Sequence, residues 1–207
     1  MSENARLKLF DAICDLVLER GYGGTSVDAI CERANVSKGS FFHHFPSKEA
    51  AACETLDHWM TAMVERARAS GFMEQASAVD RLLTYLNLMA SLLESPTSPK
   101  GCLLGTLALE LSDTHPQVRE RAAHYFEQWS GMLESLIADA LAANDGCPKP
   151  RALADYFIAS LEGSILLART RQEPSLVRKS VHHFRDYVLG MIPGAGPSEL
   201  SVEREDS

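Results

Sequence analysis

The chain has 207 residues, enough for one sizeable core or for a small domain beside a larger one. Its 45% hydrophobic content is that of an ordinary globular protein, and no apolar run approaches the roughly 20 residues of a membrane span. A formal net charge of −8 argues against indiscriminate nucleic-acid binding, so any DNA recognition must rest on locally placed cations.

The most informative segment comes early. Val27, Ile30, Cys31 and Ala34 recur at helical spacing and give a short first helix one apolar face. Thr25 or Ser26 is placed to cap it. Asn35 sits where the chain must turn, and Asn tolerates the left-handed conformation. Val36 plugs the angle, and Ser37 caps a second helix whose first turn is Lys38, Gly39 and Ser40. Phe41 and Phe45, four apart, mark its inner face, which leaves Lys38, Ser40, Phe42 and His43 outward. Pro46 stops that helix, and Ser47 followed by Lys48 and Glu49 opens a longer one. Two short helices around so tight a turn can seat the second in a DNA major groove.

Thr25, Ile30, Ala34, Val36, Ser37, Gly39, Phe41, His44, Phe45, Ser47, Lys48 and Glu49 stand at the spacing of the DNA-binding pattern of TetR-type transcriptional regulators, and the chain resembles that family. Arg6 to Ile13 and Gly21–Tyr22 look like the family's first helix and its glycine stop. Cys31, Asn35, Phe42 and Ala51 depart from the pattern. Phe42 matters most, because the family's Tyr carries a phosphate-binding hydroxyl there. The resemblance implies an all-α protein: an N-terminal three-helix helix-turn-helix domain over 1–47, then a larger helical effector-binding and dimerisation domain over 48–192. It implies that Thr25, Ser37 and Lys48 position phosphates, while Lys38, Gly39, Ser40, Phe42 and His43 face base edges or adjacent backbone. Residues 1–50 hold six Lys/Arg (Arg6, Lys8, Arg20, Arg33, Lys38, Lys48) against seven acids, a balance of −1. Affinity for double-stranded DNA must therefore draw on two-fold avidity and be salt-sensitive.

Downstream, Cys53, Leu56, Met60, Met63 and Ala67 form one stripe, ending at Ser70–Gly71. Val79, Leu82, Leu86, Met89 and Leu93 form another, closed by the Pro- and Ser-rich run Ser95 to Gly101. A short apolar helix follows from Cys102 to Leu111. Pro116 suits a first helical position, and Val118, Ala122, Tyr125, Trp129, Met132 and Leu136 continue to a stop at Asn144–Gly146. Pro148 and Pro150 precede a helix bearing Ala154, Phe157, Leu161, Ile165 and Ala168. Glu173–Ser175 starts the last, with Val177, Val181, Phe184, Val188 and Met191 on one side. The family's last two helices build a four-helix dimer interface, so Phe157, Leu161, Ile165, Val177, Val181, Phe184 and Val188 are the expected seam of a homodimer that reads a near-palindromic operator. The tail from Pro193 to Ser207, rich in Gly, Pro, Ser and acids, is expected to be disordered.

The resemblance also implies an effector pocket among these helices. Its candidates are Met60, Met63, Leu86, Met89, Cys102, Leu107, Trp129, Phe157 and Leu161, each of which could equally be core. The expected switch is a shift of the helix after Lys48. Gly101 to Asp113 is similar to a subgroup of these regulators that includes repressors responsive to electrophiles and unsaturated organic acids. Cys102, in the first turn of its helix, is thus a candidate redox or electrophile sensor, since a helix N-terminus favours thiolate, as would Lys100 or Arg169 nearby. The alternative is a quietly packed thiol. Five cysteines (14, 31, 53, 102, 147) with no C-x-x-C pair exclude a complete intramolecular disulfide framework and show no zinc spacing.

Neither His43–His44 nor His182–His183 can chelate from adjacent helical positions, and no nucleophile motif or phosphate-binding glycine loop is present. The expectation is a non-enzymatic regulator without metal or cofactor. Met1 to Asn4 lack a signal peptide's start, so a cytoplasmic location without membrane association is expected. The competing class is an all-helical ligand-binding or scaffold protein without specific DNA binding, which the near-neutral N-terminal region and Phe42 would allow.

Overall fold

A computed structural model describes residues 2–92, 101–141 and 148–192. Among them the chain is helical, in the order α1 (Ser2–Arg20), α2 (Val27–Ala34), α3 (Lys38–His44), α4 (Lys48–Ala69), α5 (Ala78–Ser91), α6 (Leu103–Leu111), α7 (Pro116–Leu141), α8 (Pro150–Arg171) and α9 (Ser175–Leu189). Leu93, the run 95–100, the stop at 144–146, Cys147 and the tail 193–207 lie outside the described residues. No described helix is long and apolar enough to cross a membrane.

Local chemistry sets the helix ends. Ser26, Ser37, Ser47 and Ser77 are N-caps whose hydroxyls accept the amides of Ala29, Ser40, Ala50 and Asp80. Of the two caps open for α2, Ser26 is the one used. Asn35 turns the chain at φ 53°, and Gly21 ends α1 at φ 80°. Pro116 and Pro150 each open a helix where a missing N–H has no effect. Cys102 lies one residue earlier than expected: it is the N-cap of α6, and its Sγ accepts the Gly105 N–H at 3.4 Å.

Helices α1 to α3 close around Leu9, Ile13, Val17, Ile30, Phe41 and Phe45, all buried. Phe10 and Phe45 lie 5.7 Å apart between ring centroids, and Phe41 and Phe45 lie 5.5 Å apart. α4 packs on α1 and α7, and α6 on both α1 and α7, so α4 and α6 join the small unit to the large one along their length. In the large unit α7 packs on α8, α8 on α9, and α5 on α7 and α9.

The expected dimer seam is turned inward. Phe157, Leu161, Ile165, Val177, Val181, Phe184 and Val188 are all buried within a single subunit, with the Phe157 and Phe184 rings 4.9 Å apart. The periodic stripe marks the face that meets the subunit's own core, because that face is the more uniformly apolar. The outward face carries a second stripe instead: Tyr156, Leu166 and Leu167 on α8 and Tyr187 on α9 are 44–58% exposed. Gly163 lies within that stripe and has open space where a Cβ would stand.

Gly21 tests how tightly the two units are joined. A Cβ there would sit 2.9 Å from Glu110 Oε2 in a backbone conformation that L side chains resist. Gly21→Ala should destabilise the protein by about 1–2 kcal/mol and lower the thermal midpoint by about 3–6 °C. An unchanged midpoint in a thermal melt would contradict the close approach.

Candidate DNA-binding face and effector cavity

Helix α3 presents a small polar face. Ser37, Lys38, Gly39, Phe42 and His43 are exposed and Ser40 is half-buried, with Phe41 and Phe45 beneath them. The Lys38 Nζ lies 2.8 Å from Asp28 Oδ1 of α2, and that contact raises the lysine's pKa. Phe42 is 50% exposed and rests edge-on against Phe41. Arg33 is likewise engaged, by Glu19 and Asp15, and Arg6 by Glu54.

Two residues expected on the phosphate-facing set have internal duties. Thr25 is 1% exposed, and its hydroxyl donates to the Gly21 carbonyl at 2.7 Å. Its side chain therefore does not reach the surface. Lys48 donates to the carbonyls of Tyr22 at 3.1 Å and Thr25 at 3.0 Å, with its Nζ 3.9 Å from the Tyr22 ring centroid. Burial lowers its pKa, against the pull of Glu110. The same turn is gripped from the other side. Glu110, near the end of α6, accepts the Tyr22 N–H through Oε2 and the Gly23 N–H through Oε1, both at 2.6 Å. Charge-assisted hydrogen bonds of this kind are stronger than neutral ones. Arg169 of α8 adds a third tie, donating to the Leu18 carbonyl at 3.1 Å.

A cavity of about 200 Å³ lies among α4, α5, α6, α7 and α8. Met60, Met63, Met89, Cys102, Trp129 and Leu161 line it as expected from sequence. Leu86, Leu107 and Phe157 do not; each is at most 1% exposed and fills the core behind the wall. Trp59, Tyr85, Tyr125, Met132 and Glu162 also line it and were not anticipated. Glu162 left a readable trace, since it places an acid on the apolar α8 stripe between Ile158 and Ile165. Tyr85 accepts the Trp129 indole N–H at 2.7 Å, and Tyr125 donates to Asp57 at 2.7 Å. Two buried polar atoms lack partners among the described residues: Trp59 Nε1 and Glu162 Oε1. Each costs on the order of 1–3 kcal/mol while unmet.

Cys102 is not set up as a thiolate. Burial first, and then the facing Glu162 carboxylate, push its pKa well above the ordinary thiol range, while the Gly105 and Leu104 amides pull weakly the other way. The helix N-terminus acts as expected but is outweighed. Arg169 does come near, 3.6 Å from a Cβ built on Gly101, yet its guanidinium is tied to Leu18. Lys100 lies outside the described residues. Glu162 in turn has its pKa raised by burial and lowered by its contact with Cys102.

The family model described as "Bacterial regulatory proteins, tetR family" matches residues 9–50, and that described as "Tetracyclin repressor-like, C-terminal domain" matches residues 78–184. The chain is 34% identical to the HTH-type transcriptional repressor DhaR of Mycobacterium sp. (strain GP1), over 78% of this chain and 80% of that one. It is 28% identical to the transcriptional regulator AcuR of Cereibacter sphaeroides, over 87% and 85%. A solved TetR-family regulator from Agrobacterium tumefaciens has the same fold, with a TM-score of 0.81 at 18% identity over 90% of this chain and 98% of that one.

The raised pKa keeps Cys102 protonated at neutral pH, since each unit upward removes about tenfold of the reactive thiolate. In the native protein at pH 7.5, iodoacetamide should label the Cys102 peptide at least about tenfold more slowly than free glutathione. Mass spectrometry of the digest reads the rate, and labelling as fast as glutathione would restore the sensor reading.

Proposed function

The chain belongs to the TetR family of bacterial regulatory proteins, and from that premise we propose a cytoplasmic, homodimeric repressor whose grip on DNA is released by a small molecule in the α4–α8 cavity. It is a DNA-binding transcriptional regulator and not an enzyme. In this reading residues 1–47 bind double-stranded DNA and residues 48–192 bind effector and pair the subunits. Helix α3 enters the major groove, with Lys38, Gly39, Ser40 and His43 at base edges or adjacent backbone and Ser37 on a phosphate. Phe42 packs there without the hydroxyl of the family's Tyr. Lys48 and Thr25 act beneath the surface, by holding the turn that carries α2 and α3.

The observation that carries the proposal is the shared turn at residues 21–25. Glu110 reaches it from α6, whose N-cap Cys102 lines the cavity, and Lys48 reaches it from α4, whose Trp59, Met60 and Met63 line the same cavity. A ligand that spreads α4 from α6 moves both hands on the turn at once. The α3 helices of a dimer must stand about 34–36 Å apart to meet successive major grooves, so a small rotation removes the fit. Release by a reversibly bound effector follows from this linkage more directly than release by modification of a protonated Cys102.

Selection from random duplex DNA with the full-length protein should enrich a near-palindrome. Lys38→Ala should weaken binding to it by about tenfold or more while leaving the fold intact. No enriched sequence even at low salt would favour a ligand-binding scaffold without DNA recognition.

The exposed stripe on α8 and α9 is the proposed subunit interface. Leu167→Asp should give a monomer by light scattering, with the melt little changed and operator affinity down about 100-fold through lost avidity. A dimer that persists in this variant would place the interface elsewhere.

A further inference from the structure

We infer that the effector is a compact, uncharged molecule with an apolar body, one hydrogen-bond acceptor and one hydrogen-bond donor, such as a small alcohol, phenol or primary amide. The inference rests on the cavity being the effector site. Its wall is mostly methionine, aromatic and aliphatic, and about 200 Å³ holds a molecule of roughly a single substituted ring. Against that background two polar atoms stand out because nothing meets them: the Trp59 indole Nε1, a donor only, and the Glu162 carboxyl Oε1. Elsewhere in the wall, the Trp129 N–H is taken by Tyr85 and the Tyr125 hydroxyl by Asp57. A ligand that brings an acceptor to Trp59 and a donor to Glu162 relieves both deficits on entry.

Charged ligands fare worse on each count. An anion satisfies Trp59 but places its charge in the same apolar cavity as the Glu162 carboxyl, and the cation of the lining, Arg66, is exposed. An ammonium meets Glu162 and leaves the Trp59 N–H without an acceptor. The expectation of an organic acid, an anion at neutral pH, therefore gives way to a neutral ligand. A site with unmet buried groups discriminates sharply against molecules that cannot meet them.

The chain's two tryptophans, Trp59 and Trp129, both line the cavity, so the indole fluorescence of the intact protein reports on this site. Titration at pH 7.5 with five probes of similar bulk makes the test: benzyl alcohol, benzamide, toluene, benzoate and benzylammonium. The alcohol and the amide should perturb the fluorescence saturably, with a Kd at least about tenfold below those of the other three. Trp59→Phe keeps an aromatic ring and removes the N–H; read through Trp129, it should reduce that advantage at least about fivefold without changing toluene. Glu162→Met should act likewise from the other side. Toluene, benzoate or benzylammonium binding as tightly as the alcohol would overturn the ligand class and leave the effector site standing, as would unchanged alcohol affinity in both variants. If none of the five perturbs either indole, the inference fails together with the effector reading of the cavity.

Discussion

The structure depends on a five-residue turn held from two directions. Gly21–Thr25 lies between α1 and α2, so most of its backbone groups have no helical partners of their own. Lys48 answers two carbonyls of this turn, Thr25 answers one from within it, and Glu110 takes the two amides that face the opposite way. Three short helices form too small a core to be robust alone. The clasp makes them part of the larger core, and it fixes the angle at which α3 leaves the molecule. Gly21 is required because the Glu110 carboxylate occupies the space a side chain would need.

Cys102 and Glu162 show how one site can overrule a local rule. At the start of α6 the backbone amides favour an anion, and in isolation that would sharpen the thiol. Burial of both groups in one apolar wall reverses the outcome, because two adjacent negative charges cannot both be carried there. Burial, helped by the carboxyl, keeps the sulfur protonated, and the carboxyl is itself left with an unmet oxygen. Chemistry at this position is decided by the facing helix, 60 residues away in the chain, and not by the helix that carries the cysteine.

The same contrast separates what could be read in the sequence from what could not. Caps, the Asn35 turn and the Phe41/Phe45 inner face are short-range features, so the starts of α3 and α4 were legible to the residue, and that of α2 to within one. Helix stripes were legible too, but a stripe says only which face is buried and not what covers it. Phe157 to Val188 accordingly read as a subunit seam when they are the subunit's own core, and the exposed face around Gly163 and Leu167, proposed as the interface, is patchier and less periodic. Leu86, Leu107 and Phe157 could not be told from cavity-lining residues, since one residue of offset along a helix turns a side chain from cavity to core. Thr25 and Lys48 matched a pattern whose spacing does not show that their polar atoms face inward. Glu162 stood out as an acid on an apolar stripe, but its partner across the cavity, like Glu110's grip on Tyr22 and Gly23, lies beyond any local rule.

The ion pair between Lys38 and Asp28 has its own implication for how the molecule would meet a duplex. A lysine that arrives already neutralised cannot add its full charge to the attraction; it must first exchange a carboxylate for a phosphate. The surface carries its own competitor, at a fixed high local concentration that dilution does not lower. Fewer condensed ions are then expelled per contact, and dependence on ionic strength becomes shallower than the number of cations near the groove suggests. If α3 reads the major groove as proposed, random stretches of polyanion gain less from such an exchange than a site that also engages Gly39, Ser40 and His43, and the aspartate would favour sequence over charge alone.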